Sequence, residues 1–328
     1  MTTNAILLLP ENWGQHRLEQ LTSLAAEEGL VTFTLVDSSQ PNEAIIQRCE
    51  GAEVLIAADR EETNRIASQI PGLKLVQTFS AGTERLDKAL LLNHGVKVAN
   101  NGGANAVCVA EYAIWFMLTI SHKFDRQIES VRAGKWAAAI SGALEEFQTL
   151  VDKRVGIVGL GRIGSRVARR LMGWECEVVY HDIATFEPDY EQAAGARRVS
   201  FDELLTTSDI VSLHVPLDNS TKGMIGAAQF KAMQDTAILI NTCRGPVVVE
   251  ADLVNALRNG EIFGAGLDVT EVEPIDPGSP LINLPNVVIT PHQGARTIDS
   301  QRNADLNVVR NSERIARGEE PLWVVEPV

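Results

Sequence analysis

The chain has 328 residues, more than one hydrophobic core usually holds, since single cores stop growing near about 250 to 300 residues. Its 45% hydrophobic and 22% charged residues are typical of a soluble globular protein. A formal net charge of -14 argues against nucleic acid or an anionic membrane as a partner, because the field of the chain would repel phosphate. The four cysteines are dispersed without a CxxC pair, and the first residues lack a basic, apolar leader. We therefore expect a cytoplasmic protein with free thiols and without a metal cluster.

In the first third of the chain, apolar runs typical of strands alternate with helical patterns. A helix is predicted near residues 16–28, and strands are predicted at 5–9, 31–36, 54–57, 75–77 and 96–99. Strands that alternate with helices predict a parallel sheet covered on both faces. This region has no glycine fingerprint, so we expect it to bind the second reactant rather than a dinucleotide.

Residues 154–182 form the strongest local pattern, a predicted strand-helix-strand unit with GLGRIG in its first turn. Gly159 allows a tight turn, Gly161 lets the backbone approach a pyrophosphate, and Gly164 lets the helix pack close to the strand. The second strand ends at Asp182, where a carboxylate can bind the ribose hydroxyls of NAD, and residues 183–185 contain no arginine for a 2′-phosphate. The pattern predicts NAD in preference to NADP.

The remaining pattern completes a second α/β domain. An apolar helix at 106–121 is short for a membrane span and carries Glu111, so we expect it to be buried. Further strands are predicted at 210–213, 237–240, 263–267 and 287–289, and a last helix at about 298–317 should return to the first domain. We therefore predict an α/β protein with two parallel-sheet domains. A Rossmann cofactor domain at 102–296 is inserted in a flavodoxin-like substrate domain made of 1–101 and 297–328.

Two clusters after predicted strands suit a carboxylate. The small residues Ser80, Ala81 and Gly82 can point successive N–H groups at an anion, although a plain tight turn explains them as well. Arg244 stands between a strand end and a Gly-Pro turn, where its guanidinium fork suits a carboxylate and an adjacent carbonyl oxygen. The alternative for Arg244 is a solvated surface side chain.

A possible acid/base pair follows later strands. His292 follows a strand and precedes a glycine, and Glu273 is the natural carboxylate partner to keep the imidazole protonated. Taken alone, each is more often a loop hydrogen-bonding residue than a catalyst. Together with Arg244, they favour a catalytic role over a structural one.

Five spaced motifs in order resemble one family. They are GIVGLGRIG at 156–164, HVPLDNSTKGMI at 214–225, INTCRGPVV at 240–248, GLDV with EP within 266–274, and TPHQG at 290–294. The chain resembles the NAD-dependent D-isomer-specific 2-hydroxyacid dehydrogenases, among them phosphoglycerate dehydrogenase and glyoxylate/hydroxypyruvate reductase. The resemblance implies NAD as cofactor and a homodimer joined through the cofactor domains, with Trp136 in the joining segment.

The same resemblance implies residue roles. Arg244, Glu273 and His292 match the catalytic residues. Substrate contacts are implied for a loop and a cleft, at Ser80, Ala81, Gly82, Asn105, Arg244 and His292. Cofactor contacts are implied for the glycine loop and the later strand ends, at Gly159, Gly161, Arg162, Ile163, Gly164, Asp182, His214, Val215, Pro216, Thr221, Thr242, Cys243, Arg244, Asp268, His292 and Gly294. Asp268 matches the aspartate that holds the nicotinamide carboxamide.

Four residues depart from the family pattern. Cys243 replaces an alanine, Asp218 replaces a common threonine near the pyrophosphate, and Gln293 replaces a residue that is often apolar. Asp59 stands where phosphoglycerate dehydrogenases tend to carry a basic residue. The expected reaction is hydride transfer between nicotinamide and C2 of a small D-2-hydroxy acid or 2-oxo acid, such as glyoxylate or hydroxypyruvate. A bulkier 2-oxo acid and an NAD-sensing scaffold that resembles the co-repressors of this fold remain the alternatives.

Overall fold

The computed structural model describes residues 2–136 and 147–327. The chain divides into two compact units, unit 1 with Met1–Asn105 and Arg296–Val328, and unit 2 with Ala106–Ala295. Each unit contains one sheet in which all strand pairs are parallel. The predicted fold class, α/β with two parallel-sheet domains, is confirmed.

The sheet of unit 1 has the strand order β2-β1-β3-β4-β5. Its strands are β1 (Thr3–Leu9), β2 (Val31–Asp37), β3 (Val54–Ile56), β4 (Leu75–Gln77) and β5 (Lys97–Ala99). Its helices are α1 (Glu11–Ala25), α2 (Asn42–Arg48), α3 (Glu61–Ala67), α4 (Lys88–Asn93) and, from the end of the chain, α12 (Ile298–Ala316). The side chains of β1, β3 and β4 are almost fully buried, as expected for central strands covered on both faces.

The predicted start of α1 near residue 16 is wrong, because the helix begins at Glu11 directly after Pro10. Gly14 weakens the helical pattern in the sequence but lies inside the helix. A Cβ atom at Gly14 would stand 2.3 Å from a methyl group of Leu35 on β2. The glycine is therefore explained by close packing of helix against strand, which the pattern of one segment cannot show.

The sheet of unit 2 has seven strands in the order β12-β11-β10-β9-β6-β7-β8. The strands are β6 (Arg154–Val158), β7 (Glu177–His181), β8 (Arg197–Arg198), β9 (Ile210–Leu213), β10 (Ile238–Asn241), β11 (Gly264–Leu267) and β12 (Val287–Ile289). The described helices are α5 (Ala106–His122), α6 (Phe124–Arg132), α7 (Gly164–Leu171), α8 (Pro188–Ala194), α9 (Phe201–Thr207), α10 (Ala227–Ala232) and α11 (Glu250–Asn259).

Among the described strands of this sheet, β8 was not predicted from the sequence. It consists of two exposed arginines and pairs with β7 through Val179 and Tyr180. Without an apolar residue, it carries no strand signal of its own. It forms because β7 offers an otherwise open edge.

The apolar helix α5 is mostly buried, as predicted. Ala110, Ala113, Phe116 and Met117 are all inaccessible to solvent. A Cβ atom at Gly266 of β11 would stand 2.7 Å from the Phe116 ring, so the helix lies directly on the sheet. Within residues 2–136 and 147–327, no helix is both long enough and apolar enough to span a membrane.

Candidate active site

Three neighbouring strands of unit 2 end side by side. Asn241 of β10 pairs with Leu267 of β11, and Leu267 pairs with Ile289 of β12. Because parallel strands end at one edge of a sheet, the loops that begin at Thr242, Asp268 and Thr290 leave this edge together. These loops carry Arg244, Glu273 and His292.

Asp268 holds the loop that contains His292. Its side chain is buried, and its carboxylate accepts hydrogen bonds from Thr290 Oγ1 at 2.7 Å, Gln293 N at 2.8 Å and Gly294 N at 2.8 Å. Its backbone oxygen accepts from His292 N at 2.8 Å. His292 adopts a φ of 55°, a value rare for a residue with a side chain. The Asp268 bonds therefore fix an otherwise unfavourable backbone conformation.

The structure brings His292 and Glu273 together. Nδ1 of His292 lies 2.8 Å from Oε2 of Glu273, and the two side chains are 45% and 40% exposed. The other carboxylate oxygen, Oε1, accepts from Thr270 N at 3.3 Å. With Nδ1 turned to the carboxylate, Nε2 is the ring atom directed away from it and suited to exchange a proton with a ligand.

The Arg244 turn lies against the same region. A Cβ atom at Gly245 would stand 1.8 Å from the carbonyl oxygen of Thr270, so only glycine permits this approach of the two loops. Asn241 Nδ2 donates to Arg244 O at 3.0 Å, and Arg244 Nη1 donates to Cys243 O at 2.6 Å. The arginine thus belongs to a shaped turn and directly precedes Gly245, whose contact with the loop that leads to Glu273 requires glycine.

Thr242 and Cys243, the two residues that directly precede Arg244, are both buried and both carry a polar group. Burial raises the pKa of the Cys243 thiol to about 11, so Cys243 is a neutral thiol at physiological pH. Its Sγ lies 3.1 Å from Asn241 Oδ1. The Thr242 hydroxyl is buried and finds no hydrogen-bond partner in the described part of the chain. A buried unpaired hydroxyl at a strand end is suited to a ligand group.

The glycine loop of unit 2 has the geometry that its sequence requires. Gly159 has a φ of 92°, and a Cβ atom at Gly164 would stand 2.0 Å from Gly159 O. At Gly161 an added Cβ would meet no atom within 4 Å, so the backbone there borders open space. Arg162 is exposed, and Ile163 packs partly on the core at the start of α7. Tyr190 of α8 donates its hydroxyl to Leu160 O at 3.1 Å and supports the loop.

Asp182 lies beside this loop at the end of β7. Its Oδ2 accepts from Leu160 N at 2.7 Å, and its Oδ1 accepts from Ala184 N at 2.8 Å. These bonds fix the orientation of the carboxylate next to the glycine turn. Each carboxylate oxygen retains acceptor capacity for a further donor.

The segment 214–225 is held mostly by its own polar groups. Burial lowers the pKa of His214 to about 3, and its Nε2 lies 2.9 Å from Ser212 Oγ. Thr221 donates to Pro216 O at 2.6 Å and accepts from Asp218 N, and Val215 packs against the core. Asp218 accepts from the backbone and hydroxyl of Ser220, and the hydroxyl bond lowers the pKa of Asp218. The Asp218 carboxylate is thus held by hydrogen bonds within its own turn.

In unit 1, polar side chains orient the loop of Ser80, Ala81 and Gly82. Ser80 O accepts from Thr78 Oγ1 at 2.9 Å, and Ala81 O accepts from Asn100 Nδ2 at 3.2 Å. In a trans peptide the N–H of the next residue points away from the carbonyl. The N–H groups of Ala81 and Gly82 are therefore turned away from these donors.

Of the further groups in unit 1, Arg17 gave no clear signal in the sequence, whereas Asp59 and Asn105 were named from the resemblance. Arg17 of α1 stacks over the Phe79 ring at 3.9 Å and pairs with the buried Asp305 of α12 at 2.6 Å. Asp59 Oδ1 accepts from Arg85 N at 2.9 Å and so links the loops after β3 and β4. Burial raises the pKa of Asp59. Asn105 is partly buried at the end of the first segment of unit 1.

The residues of unit 2 fit a dinucleotide. The backbone at Gly161 borders open space, the Asp182 carboxylate is fixed beside it, and Thr242 presents a buried unpaired hydroxyl. These features lie at the carboxyl ends of β6, β7 and β10, where open parallel sheets bind their ligands.

Comparison with known proteins agrees with this arrangement. Residues 114–294 match the family model described as D-isomer specific 2-hydroxyacid dehydrogenase, NAD binding domain. The glyoxylate reductase of Korarchaeum cryptofilum is 35% identical over 287 residues, which cover 87% of this chain and 86% of that protein. The holo form of Rhodotorula graminis D-mandelate dehydrogenase has a TM-score of 0.87 at 28% identity, covering 99% of this chain and 98% of that one. The glyoxylate reductase structure from Paecilomyes thermophila has a TM-score of 0.84 at 29% identity, covering 99% of each chain.

Proposed function

Because the chain belongs to the D-isomer specific 2-hydroxyacid dehydrogenases and is an NAD-dependent dehydrogenase, we propose that its substrate is a small D-2-hydroxy acid or 2-oxo acid of the glyoxylate or hydroxypyruvate kind. The observation that carries this proposal is the contact of His292 with Glu273 on a loop fixed by Asp268. Support for the substrate class comes from the names of the relatives. Asp59 in place of a basic residue counts against a phosphorylated substrate.

His292 is the acid/base residue. When bound, NADH would supply the hydride that reduces C2 of the 2-oxo acid. In that direction Nε2 of protonated His292 would give a proton to the oxygen on C2. In oxidation the imidazole takes the proton back. Glu273 holds the ring in one orientation through its contact at Nδ1, which leaves Nε2 for the proton transfer.

In unit 2, Arg244 is assigned to the substrate carboxylate. The guanidinium fork of Arg244 suits a carboxylate together with the adjacent carbonyl oxygen, on which negative charge grows during reduction. We assign a carboxylate contact to the N–H groups of Ala81 and Gly82 as well. The support is that donors on Thr78 and Asn100 hold the carbonyls of this loop and so orient its peptide planes.

NAD is the preferred cofactor. The glycine loop 159–164 and Thr242 are suited to hold it, and Asp182 is suited to accept from the adenosine ribose hydroxyls. A 2′-phosphate at that position would meet the fixed negative charge of Asp182. The support for the preference over NADP is this charge beside the glycine turn.

The test is a steady-state assay of NADH oxidation with glyoxylate, hydroxypyruvate, pyruvate and the bulky phenylglyoxylate. We expect the small acids to have the higher kcat/KM. The variant His292→Asn should lose about a hundred- to ten-thousandfold in kcat, because general acid/base catalysis contributes this much. Glu273→Gln should lose about fivefold, since a partly exposed ion pair contributes at most about 1 kcal/mol.

The matched control is His94→Asn, an exposed histidine of unit 1 outside the proposed site, which should keep the wild-type kcat. Full activity of His292→Asn would remove the assigned acid/base role. A preference for phenylglyoxylate over all small acids would establish the alternative, a dehydrogenase of bulkier 2-oxo acids.

We also propose a homodimer formed through unit 2. Apolar side chains are exposed on α5, on α6 and just beyond it, namely Val107, Trp115, Phe124, Ile128, Val131 and Trp136. No residue of α6 is buried within the single chain. Light scattering should report a dimer, and Ile128→Glu with Val131→Glu should give a monomer. Ile183→Glu changes an exposed apolar residue elsewhere and should remain dimeric; a monomeric wild type contradicts the proposal.

The proposed location is the cytoplasm. The four cysteines are free thiols, and three of them are buried, which suits a reducing compartment. Fractionation of cells that express the full chain should recover the NADH-dependent activity with cytoplasmic marker enzymes. Recovery with an exported fraction would contradict the assignment.

A further inference from the structure

An arginine from the neighbouring strand lies beside the proposed ribose carboxylate. Arg198 is the second residue of β8 and pairs in register with Tyr180 of β7, two residues before Asp182. Its Nη2 donates to the backbone oxygen of Asp182 at 2.7 Å. The Arg198 guanidinium therefore contacts Asp182, the residue whose carboxylate is turned toward the glycine loop.

The surroundings of Asp182 fix both charges in place. Its carboxylate is held by Leu160 N and Ala184 N, so it cannot swing away without losing two hydrogen bonds. Arg198 is exposed, and its one hydrogen bond to a carbonyl leaves other N–H donors of the fork for a ligand. A fixed anion and an available cation thus stand side by side where the adenosine ribose is expected.

The next residue on β8 provides a contrast. Arg197 pairs with Glu177 at 2.9 Å and lies 3.6 Å from Glu203, so its charge is already balanced by carboxylates. Arg198 instead contacts a neutral carbonyl and lies 6.0 Å from the Tyr180 ring centre. Of these two exposed arginines, only Arg198 is directed to the end of β7.

We infer that cofactor selectivity in this chain is set by two opposed residues, with Asp182 excluding a 2′-phosphate and Arg198 ready to bind it once that charge is removed. This rests on the proposed ribose role of Asp182. Guanidinium groups bind phosphate through two parallel N–H donors, and a carboxylate beside them repels the same phosphate. Residues 183–185, which directly follow Asp182, contain no arginine for the phosphate. Arg198 reaches Asp182 from a different strand, β8.

The experiment measures dissociation constants of NADH and NADPH by calorimetry, without substrate. Asp182→Asn keeps the shape and an acceptor for Leu160 N but removes the charge. We expect it to tighten NADPH binding at least about tenfold relative to the wild type. Adding Arg198→Gln to Asp182→Asn should weaken NADPH at least about tenfold and change NADH by less than about threefold.

Two matched variants complete the design in the Asp182→Asn background. Arg197→Gln should leave both dissociation constants within about threefold. Arg198→Lys keeps a positive charge without the fork and should restore part of the NADPH affinity. Circular dichroism of each variant checks that it folds.

The possible results separate this inference from the proposed function. If Asp182→Asn leaves the ratio of NADH to NADPH affinity unchanged, the ribose role of Asp182 is wrong. If the ratio shifts but Arg198→Gln has no effect, or weakens NADH and NADPH equally, the role of Arg198 alone is wrong. An equal effect of Arg197→Gln and Arg198→Gln on NADPH binding would also overturn the role of Arg198. Loss of one positive charge near the site, at either position, would then explain the result.

Discussion

The carboxylate of Asp268 should stabilise the His292 loop by an amount that a conservative substitution can measure. In Asp268→Asn one carboxylate oxygen becomes an NH₂ group, which cannot accept a hydrogen bond. If the amide nitrogen replaces Oδ1, the bonds from Thr290 and Gln293 are lost; if it replaces Oδ2, only the bond from Gly294 N is lost. The second orientation is the less costly and leaves one buried N–H without a partner.

The magnitude follows from these contacts. An unsatisfied buried N–H costs about 1 to 3 kcal/mol. The bonds from Thr290 and Gln293 remain, but each becomes weaker by about 0.5 to 1 kcal/mol because its acceptor is no longer charged. We therefore expect Asp268→Asn to lower the free energy of unfolding by about 3 kcal/mol. Turnover should fall as well, because the carboxylate bonds from Gln293 N and Gly294 N hold the loop that contains His292.

The assay is urea unfolding followed by circular dichroism, together with kcat for the preferred 2-oxo acid. Thr290→Val is the matched control, since it removes one donor and leaves the carboxylate with its two backbone bonds. It should cost about 1 kcal/mol. A smaller cost for Asp268→Asn than for Thr290→Val, or wild-type values of both stability and kcat, would contradict the role assigned to the Asp268 carboxylate.

Two further predictions concern unit 2. Burial lowers the pKa of His214 to about 3, below the value of 6.5 for a free imidazole, so His214 stabilises the fold above pH 6.5 and loses this contribution as the pH falls. Between pH 7.5 and 5 the wild type should lose about 2 kcal/mol more than His214→Gln in urea unfolding, and equal losses would contradict the burial argument. In the glycine loop, Gly161→Ala should keep wild-type stability but weaken NADH binding, because its Cβ enters open space; Gly164→Ala should destabilise the fold, because its Cβ would stand 2.0 Å from Gly159 O. Calorimetry and urea unfolding separate the two effects, and similar results for both variants would be evidence against the assigned geometry.

The sequence predicted those parts of the fold that local pattern determines. The central strands of both sheets and helix α5 carry continuous apolar runs, and the glycine spacing at 159–164 describes a turn that needs few other contacts. Five motifs in order predicted the family. The family and enzyme assignments leave the NAD-sensing scaffold without an observation that favours it.

The features that the sequence did not predict depend on contacts between distant segments. The strand β8 exists because β7 has a free edge, and α1 begins early because Gly14 packs on Leu35. The motif around Asp268 suggested a cofactor contact, but not that its carboxylate accepts three hydrogen bonds from its neighbouring loop. Arg198 gave no signal because its partner, the carbonyl of Asp182, is supplied by another strand.

The most direct test of the central claim follows the hydride itself. Hydroxypyruvate is reduced with NADH that carries deuterium at the transferable position of C4, and the product is examined by mass spectrometry and chiral chromatography. We expect D-glycerate with one deuterium on C2, formed far more slowly by His292→Asn. Product without deuterium at C2, or the L-isomer, would contradict direct hydride transfer to a D-2-hydroxy acid.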